Sequence, residues 1–88
     1  MAIFTNSVDW FELWYADCKG MIHTMHRNMV ADLDAGYDPM GRCIKEQRAM
    51  IGVYCERLDE TLEMFKEMDD KQVNRWCFYD MKKRGVIE

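Results

Sequence analysis

Eighty-eight residues, 49% of them hydrophobic and 12% aromatic, with a formal net charge of −4, describe a small acidic chain. Its length allows a single domain, residues 1–88, and a chain this short buries only about 60–65% of its unfolded surface. No apolar run approaches the ~20 residues of a membrane span, and MAIFTNSVDW lacks the cationic and apolar regions of a signal peptide, so neither a membrane span nor a targeting signal is expected.

The chain has one proline and few β-branched residues, so helix formers dominate and the expected class is all-α. A first helix is predicted over about 8–35, with Asn6 or Ser7 as N-cap and Asp9 and Glu12 favoured by the helix dipole. On a wheel of 100° per residue, Trp10, Phe11, Trp14, Tyr15, Cys18, Met21, Ile22, Met25, Met29 and Leu33 share one side. Asp17, His23, Arg27 and Asp34 fall opposite, and Gly20 marks a possible bend.

The segment AGYDPMG is the clear connector: Gly36 can end the first helix, and Asp38–Pro39 has the N-cap and N1 signature of the next. The second helix is predicted over about 39–68, with Met40, Ile44, Ile51, Tyr54, Cys55, Leu58, Leu62 and Phe65 on its apolar face and Gln47 among them. Ala49, Val53 and Met64 form a second apolar strip, which calls for a second neighbour. A third helix follows over about 70–84, capped by Asp69 or Asp70 and ended by Gly85 after Lys82, Lys83 and Arg84. The short connector implies a long antiparallel helical hairpin closed by this short C-terminal helix. The third helix carries apolar residues on two faces, Val73, Cys77 and Met81 on one and Trp76, Phe78 and Tyr79 elsewhere, so the assembly is expected to be a homo-oligomer.

Signatures of catalysis are missing. Cys18, Cys43, Cys55 and Cys77 include no CxxC pair and sit among apolar neighbours. They read as buried thiols in a reducing cytosol, silenced by burial rather than activated, and point to a cytoplasmic location. His23 and His26 are spaced i,i+3, yet no carboxylate or thiol joins them at ligand spacing, so no metal or other cofactor is expected. Ser7 is the only serine, and phosphate-binding glycine loops are absent. Met21, Met25 and Met29 at i,i+4 read as core filler. The chain is therefore expected not to be an enzyme.

Charge is polarised instead. Residues 56–70 hold seven acids against Arg57 and Lys66, while residues 71–88 hold five bases against Asp80 and Glu88. Glu56, Glu60, Glu63 and Glu67 line one strip of the second helix over about 16 Å. Such a ridge suits a partner protein with a basic groove, and Trp76, Phe78 and Tyr79 would be its aromatic anchors. Arg75, Lys82, Lys83 and Arg84 are candidate anion-binding residues, the basis of an alternative reading as a binder of nucleotide-like ligands between subunits. Direct nucleic-acid binding is disfavoured because the cations cluster in one turn beside an acidic ridge. Small acidic chains of this type, without catalytic signatures, occur among phage and mobile-element inhibitors of host proteins, and that is the expectation for function.

Overall fold

The computed structural model of the chain describes residues 9–87. Among them are three helices, α1 (Trp10–Asp34), α2 (Arg42–Phe65) and α3 (Asp70–Lys83), and no strand. The all-α class is as the sequence implied. No helix is long and apolar enough to cross a membrane, among the described residues.

Local chemistry sets each boundary. Asp9 caps α1, its carboxylate accepting the Glu12 N–H at 3.0 Å, two or three residues later than predicted. Asn6 and Ser7 lie outside the described residues. α1 then runs through Gly20 without a break in the helix. It ends on Gly36, whose φ of 100° is the left-handed conformation that only glycine adopts cheaply. Gly36 N–H reaches Leu33 O and Tyr37 N–H reaches Asp32 O, the paired bonds of a Schellman motif.

Asp38 does not cap α2. Its side chain accepts the Met40 N–H two residues on, and its carbonyl accepts Gly41 N–H at 2.9 Å. The turn is broken at Gly41, whose extended backbone (φ −74°, ψ 161°) makes it the N-cap in place of Asp38, so α2 starts at Arg42 and leaves Met40 69% exposed, not on the apolar face. At the other end, Lys66, Glu67 and Met68 bond three residues back and tighten the chain into a turn. Asp69 opens α3 with a reciprocal capping box to Gln72. Gly85, at φ 78°, closes it with bonds to Lys82 O and from Val86 to Met81 O.

α1 packs against both other helices, which approach each other much less. Trp14 meets Phe65 near the start of α1 and the end of α2, with ring centroids 5.3 Å apart. Gln47 donates to Asp32 at 2.7 Å near the end of α1 and the start of α2. Phe11 N–H donates to the Asn74 side-chain Oδ1 at 3.1 Å, and Trp10 stands edge-on to Phe78, so α3 lies along the first half of α1. The core gathers where all three helices meet, around Trp14, Phe65, Cys77 and Met81. Beyond it, Met29 and Ile44 are buried between α1 and α2 alone. Two helices can cover only one stripe of each other there, which is why Met21, Val30 and Met50 stay at least 36% exposed. The methionine row of α1 is thus core only in part: Met29 is buried, Met25 half-buried and Met21 exposed.

Candidate interaction surface

The acidic ridge lies on the side of α2 away from its core stripe, and Glu56, Glu60, Glu63 and Glu67 are all exposed. Three are on the helix; Glu67 sits in the turn beyond its end. Among the described residues, Glu63 alone of the four is ion-paired, to Lys66 at 2.9 Å. That pair is largely solvated and contributes little. Beside the ridge, Val53 and Met64 are 43% and 41% exposed and Ala49 is exposed too. α3 lies against α1 and does not cover this second strip.

The three aromatics expected to act as anchors separate. Phe78 is only 6% exposed, held edge-on between Trp10 at 4.9 Å and Tyr79 at 5.4 Å. For Phe78 the expectation that α3 could not bury this face is corrected: the aromatic start of α1 reaches around to cover its ring. Trp76 is half-buried, edge-on to Trp14 and Phe65 at 5.7 and 5.1 Å. Tyr79 remains 54% exposed.

The cations separate as well. Arg84 donates from Nε to Asp80 Oδ2 at 3.0 Å and from an η nitrogen to Asp17 Oδ2 at 3.1 Å. Burial works against its charge, but Asp80 and the two hydrogen bonds outweigh that and hold its pKa above the ordinary value. Arg84 is therefore a strut between α1 and α3, and Asp17 is half-buried beside it rather than on an open face. Lys82 lies over the Phe78 ring at 5.8 Å. Arg75 and Lys83 line an open groove of about 480 Å³ with Trp76, Tyr79 and Asp80.

All four cysteines are free. Cys77 is fully buried, and its thiol is pushed up to about 12 by burial first, with Asp80 and Cys18 adding to it. Burial also raises Cys18, against the opposing pull of Arg84. Cys43 is exposed, so the expectation of four buried thiols does not hold for it. His23 and His26 are both exposed.

Sequence reasoning missed the polar strut. Trp14 Nε1 donates to Asp80 Oδ2, the same oxygen that accepts from Arg84. The i,i+4 spacing of Asp80 and Arg84 was the available signal; the reach to Asp17 and Trp14 has no local one. Compared with known proteins, the chain matches no family model, no curated protein and no solved structure.

Proposed function

We propose that this chain is a non-enzymatic protein-interaction module: an antiparallel α1–α2 hairpin closed by α3, assembled as an oligomer, that binds a basic surface of another protein. One observation carries the reading. Three carboxylates and an adjoining apolar strip are exposed on α2, on the side that neither α1 nor α3 covers, and Glu67 extends the ridge into the turn that follows. Repelling charges at helical spacing cost each close pair a few tenths of a kcal/mol, so beyond the solvated Glu63–Lys66 pair the ridge offers nothing to the fold itself. Glu56, Glu60, Glu63 and Glu67 supply the electrostatic match, and Tyr79 with the open edge of Trp76 supplies aromatic contact area. A chain of this kind suits a phage or mobile element that occupies a host protein in the cytoplasm.

The experiment is affinity capture from the host lysate by the intact chain, alongside a Glu56→Gln/Glu60→Gln/Glu63→Gln/Glu67→Gln variant and a Tyr79→Ser variant. A partner held by the intact chain and lost by the ridge variant supports the proposal. A partner retained equally by all three sinks it.

A second reading has the α3 groove in its favour, where Arg75 and Lys83 flank Trp76 and Tyr79 as a nucleotide-like anion would require. Asp80 lines the same groove with a carboxylate, and Arg84 is committed elsewhere, which favours the protein-binding reading. Thermal stabilisation by micromolar nucleotide would reverse that preference.

A further inference from the structure

The ridge is half of a longer pattern. On a wheel of 100° per residue, Arg42, Lys45, Ala49, Gly52, Val53, Glu56, Glu60 and Glu63 fall within about 100° of arc on α2. The strip is opposite Ile44, Ile51, Leu58 and Leu62, so it is the outer side of the helix. Its three parts come in order: cations, then small or apolar residues, then carboxylates. All the charged members are exposed.

From this we infer that α2 pairs antiparallel with α2 of a second copy, about a two-fold axis between Gly52 and Val53. A symmetric pair of identical subunits needs a surface that complements itself when inverted. This strip does. Lys45 and Glu60 lie equally far from the centre, about 11 Å along the helix, and Arg42 and Glu63 about 16 Å. Inversion therefore sets Lys45 against Glu60 and Arg42 against Glu63, twice each. A parallel pair would stack like on like. Glu46 and Arg57 share the flank carrying Met50 and Val53, so that edge also matches with opposite signs.

The centre fits a close approach. A Cβ on Gly52 would meet nothing within 4 Å in the single chain, so the fold of one copy does not require a glycine there. A glycine inside a helix costs about 0.5–1 kcal/mol relative to alanine, and a second backbone packed against it gives that position a use. Met50 and Val53, 52% and 43% exposed, become the apolar contacts beside the axis. The inference rests on the ridge being a binding surface and names its occupant in the absence of a target: a second copy, displaced when a more basic surface competes.

Analytical ultracentrifugation over a concentration series at low ionic strength tests it. The intact chain is expected to dimerise, more weakly as salt rises. Arg42→Glu/Lys45→Glu and Glu60→Lys/Glu63→Lys should each weaken self-association more than about tenfold, because like charges then face each other. An equimolar mixture of these two variants should recover the dimer, since each now complements the other at both ends. All four positions are exposed, so circular dichroism should show unchanged helicity. A monomeric intact chain overturns the pairing. So does a mixture that stays monomeric, or loss with Glu60→Lys/Glu63→Lys but not with Arg42→Glu/Lys45→Glu, which would place the ridge against other cations. Arg42→Glu/Lys45→Glu leaves the ridge glutamates in place, so absence of target capture by that variant counts against the proposed function, independently of its oligomeric state.

Discussion

Trp14 donates its indole N–H to Asp80 at 2.9 Å across 66 residues of chain, at the junction where the three helices meet. Trp14 is 2% exposed, so its donor has no recourse to water. Asp80 satisfies it and, through the same oxygen, holds Arg84. Asp80→Ala should therefore destabilise the chain by about 2 kcal/mol, chiefly through the stranded indole N–H, and lower Tm by roughly 10 °C. Asp80→Asn keeps an acceptor for Trp14 and should lose about half as much. Equal losses in urea denaturation would place the effect in the charge on Arg84 instead.

The glycines divide by conformation. Gly20 sits in unbroken helix with open space where a Cβ would go, so Gly20→Ala should stabilise by about 0.5–1 kcal/mol. Gly36 has the same open space but a φ of 100°, so Gly36→Ala should destabilise by about 1–2 kcal/mol. Thermal melts of the pair should move in opposite directions.

Thiol reactivity should follow exposure. Cys43 is expected to react first with a disulfide reagent near about pH 8, Cys18 and Cys55 more slowly, and Cys77 only on unfolding. Cys77 also implies an alkaline limit. Its folded pKa, about 12, lies above the ordinary value of 9.0, so the unfolded thiol gives up its proton first. Stability linked to this group is full below about pH 9 and is lost as pH climbs toward 12. Cys77→Ala should flatten that decline; an unchanged slope between the two pH values would assign it to other groups.

Phe78 and Tyr79 are neighbours in sequence with different consequences. Phe78→Ser empties a site packed on Trp10 and should cost about 3–5 kcal/mol, enough to unfold a chain this small. Tyr79→Ser should change Tm by little, because its ring is more than half exposed. A comparable loss of helicity in both would mean that Tyr79 contributes to the core.

Neutralising the ridge should not harm the fold. Glu56→Gln/Glu60→Gln/Glu67→Gln relieves repulsion worth a few tenths of a kcal/mol per close pair, so Tm should rise slightly or stay level at low salt. A fall would show that these carboxylates support the fold through contacts with the chain itself.

The class of the fold was written locally. Helical periodicity, an aspartate cap at Asp69 or Asp70, and Gly36 and Gly85 after the last turns are features that neighbours in sequence create, and they were readable as such. So was the ridge, since four carboxylates at helical spacing share a side whatever surrounds them. Asp38–Pro39 misled because one side chain can cap a helix or close a turn, and the two look alike in sequence. What distant segments do to each other had no local trace. That Phe78 is covered while Tyr79 is not, that Arg84 reaches Asp17, and that the outer side of α2 stays open while α3 lies on α1 follow from how the third helix docks. Burial and long-range pairing depend on which surfaces meet, and packing alone decided that.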